Sequence, residues 1–498
     1  MARRNELVQD ASILTSTVVI SSGLSGVVAL LTARLLAPEL FGVWQTIRVV
    51  AQYVNYANLG LPWAMQQEVA GVERVEGSGA GQPSIEVAVT AVSVLTTGVG
   101  LVLVGVAAVT GVPVGWDLML PTVIWLLLAQ VYGLATMVLM ARRRFWLAGR
   151  ADILTSLANL VLTAALVPTL GLMGVVLAQI GWCLAGLLLV WRRAGLRARL
   201  RADLAAALRQ ARVGVQFTAN GALFYTHKSI DRLLILAMLG QTALGYYGIA
   251  LLASGYVELL ASAVARSMAP RMIGDYSERQ SLLDIRGYVT SSATLLGALV
   301  PVLTGAAALA VVPFVHFVLP RYAPGVAAAQ VLLVGSAFLA VRYCVEWFFV
   351  TVGKLYRTYP IQLAAGLVAL VQAYVALRLG LGLEWVAGGV VIGHLTTSVG
   401  MLAYAYRHFD LPARVTLSSI VSAHMPTVYC GVLVFLLERW GPVPAVGSVL
   451  EELGALTVKL GVYLALAAPL VLYANRQYGL LALVRRWRPF LARGGVRP

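Results

Sequence analysis

The sequence predicts an all-α polytopic membrane protein with fourteen transmembrane helices, ordered as two six-helix lobes followed by two extra helices. Three observations lead there. Of 498 residues, 60% are hydrophobic and 12% are charged, and the mean hydropathy is +0.84, whereas about a quarter of a soluble chain is charged. Apolar runs of roughly 20 residues, the length that crosses a bilayer, recur from one end to the other. The Lys and Arg residues collect in alternate loops, as the positive-inside rule requires of a polytopic chain.

The N-terminus, MARRNELVQDASILTSTVVI, carries Arg3 and Arg4 ahead of a long apolar run and lacks a short apolar region ending in a small-residue cleavage site. It is therefore read as a retained first span. Apolar runs place spans at 11–35, 42–64, 85–110, 118–140, 151–170 and 172–192, which form an N-terminal six-helix lobe over 1–195. A basic connector, 196–212, leads to spans at 213–238, 244–269, 287–312, 325–350, 358–378 and 384–406, a second lobe over 213–410. Two extra spans, near 418–438 and 451–473, occupy 411–474 and precede a basic tail, 475–498.

Loop charge tests this count independently. With the N-terminus inside, the inside segments hold 28 of the 37 Lys and Arg residues, and the outside segments hold four: Arg34, Arg321, Arg378 and Arg439. One missed helix would exchange the sides of every later loop. Both termini are thus expected in the cytoplasm, in a multi-pass protein of the plasma or inner membrane. The net charge of +16 is mainly topology and implies no nucleic-acid partner. The tail's VRRWRPFLARGG is expected to rest on anionic lipid.

Cys183, Cys344 and Cys430 all lie in apolar segments without ligand spacing, so they read as small buried hydrophobes, with no disulfide or metal site. No GxxxxGK[ST] loop is present for ATP-driven export. The outside loops are short, and Asp117, Glu384, Glu451 and Glu452 are scattered across three of them, which disfavours a membrane glycosyltransferase or polymerase. The chain reads as a non-enzyme without cofactor.

Six helices per half, joined on the cytoplasmic side, give both halves one orientation, so a duplication would be a parallel repeat about the membrane normal. Self-similarity supports one. Leu40-Phe41-Gly42-Val43-Trp44 echoes Ala243-Leu244-Gly245-Tyr246-Tyr247, and LVPTLGLMGVVLAQIGW (166–182) echoes ALRLGLGLEWVAGGVVIGHL (376–395). The offset is a little over two hundred residues in both cases.

ARLLAPELFGVW (33–44), continuing through YVNYANLGLPWAMQQEVA (53–70), and SIDRLLILAMLGQTALGYYGIALLASGYVELL (229–260), ending in MAPRM (268–272), give the chain its resemblance. It resembles the polysaccharide-transport branch of the multidrug/oligosaccharidyl-lipid/polysaccharide exporter superfamily, which includes Wzx-type O-antigen flippases. The resemblance covers the whole chain. It implies a V-shaped pair of six-helix lobes that flips a lipid-linked oligosaccharide, typically on an undecaprenyl pyrophosphate carrier, from the cytoplasmic to the outer leaflet. The implied role is cell-surface polysaccharide biosynthesis, of O-antigen or exopolysaccharide. Implied partners are the lipid-linked substrate, membrane lipids and other polysaccharide-assembly proteins.

Charge inside hydrocarbon costs roughly 2.5–3.5 kcal/mol per residue, yet LFYTHKSIDRLLIL (223–236) holds His227, Lys228, Asp231 and Arg232. At 1.5 Å per residue, Ser229 to Arg232 lie about 24–29 Å along the helix from Val213, which places the cluster from mid-bilayer outward. The i,i+3 and i,i+4 spacings put all four on one broad face, where Asp231 neutralises one cation and leaves a positive charge over. Other spans repeat the pattern with Arg48, Glu258, Arg342 with Glu346, and His394. A wet, mildly electropositive central cavity is expected, with Arg48, Lys228 and Arg232 as anion-binding residues. Tyr53, Asn55, Asn220 and Tyr225, with Tyr56 and Asn58, supply a polar and stacking surface for sugars. Arg suits a pyrophosphate because its guanidinium pairs with two phosphate oxygens at once.

His227, Asp231, Glu258, Arg342, Glu346 and His394 are read as ion-coupling residues or as structural pairs between helices, and residue types do not choose between these. Arg34 and Arg378 sit at helix ends and snorkel. Lys459 snorkels or packs against a partner helix. Alternating access, with bending at Pro62, Pro270, Pro301 and Pro360, is the expected mechanism, driven by a cation gradient or the membrane potential. The alternative is a cation-coupled drug or small-molecule antiporter of the same superfamily, which would call for a more acidic cavity.

Overall fold

The computed structural model describes residues 2–76, 80–110, 116–142, 144–194, 203–409, 411–442 and 448–478. Residues 196–202 of the basic connector and 479–498 of the C-terminal tail lie outside these residues. Those described form thirteen α-helices and two 3₁₀ turns, with no strand among them. The helices are α1 (Ala2–Leu35), α2 (Pro38–Tyr56), α3 (Leu61–Glu76), α4 (Gln82–Thr110), α5 (Trp116–Ala141), α6 (Phe145–Ala194), α7 (Leu204–Arg279), α8 (Leu282–Val318), α9 (Val326–Thr351), α10 (Tyr359–Arg378), α11 (Leu383–Arg407), α12 (Ala413–Trp440) and α13 (Val449–Tyr478). This is an all-α polytopic membrane protein.

Ten helices among the described residues are long and apolar enough to cross a bilayer, but two of them run to 47 and 56 residues, about twice what a crossing needs. Each is two helices joined at a glycine. Gly171 (φ 56°) breaks α6, and Gly240 (φ 83°) breaks α7; a residue with a Cβ pays a steric penalty in that region of φ and glycine does not. The sequence places span boundaries at both points. Gly380 (φ 69°) ends α10 in the same way, so the echoed TLG and RLG of the repeat make the same kind of corner.

The second span differs from a single continuous helix. It is carried by α2 and α3, which meet at Asn58, Leu59 and Gly60, where Leu59 (φ 51°) and Gly60 (φ 71°) both have positive φ. The Asn58 carboxamide stabilises the turn by accepting the Gly60 amide proton at 3.0 Å. Several helices also outrun the apolar stretches that predict them. α7 begins at Leu204, so the end of the basic connector is already helix.

Two compact units divide the chain, Met1–Gly248 and Ile249–Pro498. In the first, α1 and α5 pack on α6, and α3 and α4 pack on α5. Its core joins Met65, Val69, Ile85, Tyr132, Leu139 and Val190. At one end, Arg142 pairs with Glu73 at 3.0 Å and donates to the carbonyl oxygen of Ala194 at the close of α6. In the second, α9 is central and packs on α8 and α11, with α10 on α11 and α12 and α13 on α8. Phe348, Phe349, Phe409 and Tyr406 form its aromatic core. Lys459 bonds Glu438 at 2.9 Å, which fixes α13 to α12.

The echoed glycines meet in the first unit. A Cβ on Gly42 would overlap the carbonyl oxygen of Gln241 and crowd the Gly245 amide nitrogen, and a Cβ on Gly245 would overlap the carbonyl oxygen of Pro38. Each motif therefore packs on the start of the other's helix. Further along, Gly60 and Gly214 are in equally close backbone contact, so α2 and the first part of α7 run antiparallel at a separation set by absent side chains. Gly42→Ala and Gly245→Ala are each expected to destabilise by about 1–3 kcal/mol through overpacking. Gly23→Ala on α1, which meets open space, is expected to be neutral or to stabilise by about 0.5–1 kcal/mol. Apparent melting points in detergent check all three.

Candidate functional site

The α2–α7 contact carries most of the predicted cavity residues. Tyr53 on α2 reaches α7, where its hydroxyl pairs with Ser229 Oγ at 2.9 Å and donates to Thr226 Oγ1 at 3.3 Å. Tyr225 stands edge-on to Tyr53 with ring centroids 5.3 Å apart, and 6.1 Å from Tyr56. These three rings form one half-buried aromatic group. The Arg232 guanidinium lies 5.7 Å above the Tyr225 ring, and its Nη1 donates to the Tyr225 hydroxyl at 3.2 Å. Arg48, exposed on α2, also acts electrostatically on that hydroxyl. Arg232 thus touches Tyr225 from its own helix, while Arg48 on α2 lies within electrostatic reach of it. Lys228 lies 5.9 Å over the ring of Phe224, one turn earlier on α7.

Asp231 occupies a different setting. It is 1% exposed, and its two carboxylate oxygens are engaged: Oδ2 accepts from the Tyr247 hydroxyl at 2.6 Å, and Oδ1 from the Arg232 amide at 2.7 Å. Arg232 and Lys228 lie close enough to offset its charge. Tyr247 follows the Gly240 corner, so this hydrogen bond ties the two arms of α7 together. A buried carboxylate is tolerable only when paired and hydrogen-bonded, and both conditions hold. His227 and Ser229 are buried beside it.

Asn55, also on the predicted polar surface, belongs to a network that sequence inspection missed. Gln130 of α5 donates to Asn55 Oδ1 at 2.9 Å and accepts from Asn58 Nδ2 at 3.2 Å. One carboxamide therefore braces the turn between α2 and α3. The available signal was a glutamine inside the apolar run WLLLAQVYGL, since a polar side chain in hydrocarbon needs a partner. Asn220, half-buried on α7, precedes Gly221, which packs against the Tyr56 ring.

The second unit holds the remaining predicted residues. Arg342, 1% exposed, donates to Glu346 at 3.1 Å across one turn of α9 and lies 5.3 Å over the ring of Tyr343. Tyr343 also hydrogen-bonds Glu258, so Glu258, Arg342 and Glu346 share one cluster centred on that ring. His394 is buried on α11. The sequence reading passed over His424 on α12, which donates from Nδ1 to the Ile420 carbonyl at 2.8 Å and accepts at Nε2 from Ser398 at 2.9 Å. That partnership makes it a tie between α12 and α11. Arg378 at the end of α10 lies over Tyr374 and bonds its hydroxyl at 2.8 Å, a helix-end contact.

Removal of the Tyr247 hydroxyl would leave a buried carboxylate short of a donor, which costs about 1–3 kcal/mol. Tyr247→Phe is expected to lower the apparent melting point in detergent and Asp231→Asn to lower it less, because the amide retains an acceptor without a buried charge. Equal melting points for Tyr247→Phe and the wild type would show that the carboxylate does not depend on this bond.

The polysaccharide biosynthesis protein family matches residues 31–321, which include α2, α7 and the motifs quoted above. No curated protein matches by sequence. Among solved structures, an inward-facing multidrug resistance MATE family transporter of the MOP superfamily aligns with a TM-score of 0.58 at 13% identity, over 87% of this chain and 100% of its own. The lipid II flippase MurJ, in an inward closed conformation, aligns with a TM-score of 0.59 at 11% identity, over 91% and 99%. A MOP superfamily transporter from Pyrococcus furiosus, described as having a binding pocket of reverse polarity, aligns with a TM-score of 0.55 at 14% identity, over 82% and 96%. Such identities establish the fold alone. With more than half of its length matched, the chain belongs to the polysaccharide biosynthesis protein family, on the fold shared by MOP superfamily transporters.

Proposed function

We propose that this protein flips a polyprenyl-pyrophosphate-linked glycan from the cytoplasmic to the outer leaflet by alternating access, for cell-surface polysaccharide biosynthesis, and that Arg48, Lys228 and Arg232 receive the anionic headgroup. One observation carries the reading: the Arg232 guanidinium lies against a tyrosine whose ring is grouped with two others, with Arg48 of a separate helix within electrostatic reach. Arginine forks match phosphate oxygens in geometry and charge. Aromatic rings offer the apolar faces on which sugar rings stack, and Asn55 and Asn220 add hydrogen-bonding capacity. The Arg232 Nε–H has no hydrogen-bond partner of its own. That the solved structures of this fold include a lipid II flippase agrees with a lipid-linked substrate.

A cation-coupled antiporter is the second reading, because MATE transporters share the fold. Charge separates the two. An anion site depends on its cations, whereas a site for cationic drugs gains from added carboxylates. In this reading Asp231 locks the hairpin of α7, and Glu258, Arg342, Glu346 and His394 are coupling or bracing residues of the second unit. Both termini face the cytoplasm.

Arg48→Glu and Lys228→Glu are each expected to reduce transport of lipid-linked glycan about ten- to a hundredfold, the equivalent of losing a charge-assisted hydrogen bond of about 1.5–3 kcal/mol. The measurement is surface polysaccharide in cells lacking the native gene, with membrane abundance of each variant as control. Glycan export that survives both reversals would sink the assignment. Drug efflux that rises with the reversals would favour the antiporter.

A further inference from the structure

The first unit contains a second polar site, away from the tyrosine group. A pocket of about 240 Å³ opens between α3, α4 and the start of α7, lined among others by Glu68, Ser84, Glu86, Asp203, Arg209 and Gln210. Three carboxylates face one guanidinium. That balance is opposite to its surroundings, since the neighbouring connector carries seven arginines over residues 192–212.

Gln210 indicates what the pocket takes. It is 2% exposed, and its Nε2 donates to Glu68 Oε2 at 2.8 Å and to the Ser84 carbonyl at 3.2 Å. Both partners are acceptors, so the orientation of the amide is settled, and the carbonyl Oε1 is the atom left without a hydrogen-bond partner. A buried unpaired acceptor wants an N–H or O–H donor. The rest of the lining agrees. Glu86 is buried in the lining, and its Oε1 accepts from Gln82 at 3.4 Å. Asp203 caps the start of α7 by accepting the Ala206 amide at 2.9 Å, through one of its two oxygens. Among the described residues, no three His, Cys, Asp or Glu side chains are grouped to hold a metal ion, so the carboxylates are spread for something larger. At about 30 Å³ per water, the pocket has room for a small organic cation.

We infer that this pocket binds a primary ammonium group. Quaternary ammonium ligands lack the N–H bonds that Gln210 and the carboxylates would accept. Two sources carry the chemistry, a soluble amine and the phosphoethanolamine headgroup of a lipid, and Arg209 distinguishes them. It is exposed at the rim and is placed to meet a phosphate, which only the headgroup has. The pocket lies where α4 and α7 begin their apolar spans, the part of a spanning helix that meets lipid headgroups. The inference stands independently of the transport reading.

Binding to the purified full-length protein, in detergent free of ethanolamine lipids, tests it by calorimetric titration with sn-glycero-3-phosphoethanolamine, its phosphocholine counterpart and 1,4-diaminobutane. At least one primary amine is expected to bind, with the phosphocholine probe at least about tenfold weaker and with Glu86→Gln reducing affinity about tenfold. Loss of phosphoethanolamine binding in Arg209→Ala, with diaminobutane unaffected, identifies a lipid headgroup; binding of diaminobutane alone identifies a soluble amine. Failure of both amines, equal binding of the phosphocholine probe, or unchanged affinity in Glu86→Gln overturns the inference. The phosphocholine comparison uses wild-type protein, so it decides even where the variant does not fold.

Discussion

The contact of α2 with α7, running from just beyond the Gly240 corner back along the first arm to Gly214, is the interaction on which the rest of the first unit depends. Lipid exerts little hydrophobic pressure between helices, so association relies on close packing and hydrogen bonds, and small residues let backbones approach. Here Gly42 and Gly245 pack reciprocally, and Gly60 and Gly214 close the other end. Between those two points the helices are held near enough for Tyr53 to reach Ser229 and Thr226 and for Arg48 to act on Tyr225. The tyrosine group exists because the glycines do.

The same proximity explains how four ionisable side chains are accommodated in one span. Their cost is met in different ways. Asp231 is fully buried and satisfied by Tyr247 and a backbone amide, and the bond doubles as a brace across the Gly240 corner. Arg232 and Lys228 lay their charged heads over aromatic rings, where the ring quadrupole partly replaces water. The negative member of the cluster is sealed into a structural bond, while its positive members stand beside the aromatic surface.

In the second unit the polar groups are brought into pairs. Arg342 with Glu346, Tyr343 with Glu258, His424 with Ser398 and Lys459 with Glu438 are each matched within hydrogen-bonding reach. Ties of this kind hold α9, α11, α12 and α13 where an apolar core alone would leave their register loose. The contrast with α2 and α7 marks the first unit as the one with polar groups arranged around a shared surface.

Much of the architecture was legible in the sequence because lipid imposes a simple rule: each crossing must be an apolar helix of sufficient length, and basic loops stay on one side. That rule alone gives fourteen spans, and the helices α4 to α13 follow them, with the corners at Gly171 and Gly240 falling where one apolar run ends and the next begins. Composition cannot see what happens between helices. That Asp231 meets Tyr247, that Gln130 braces Asn55 and Asn58, and that Gln210 draws Glu68 and Ser84 into one pocket depend on residues dozens to more than a hundred positions apart in all but the first case. The break at Leu59 and Gly60 was hidden too, because hydropathy reports how apolar a segment is and not whether its backbone continues as one helix. The sequence determined which elements cross the bilayer, because desolvation of the backbone is a local cost; tertiary structure decided which costly side chains became braces and which remained at a surface, because that depends on the partner each one finds.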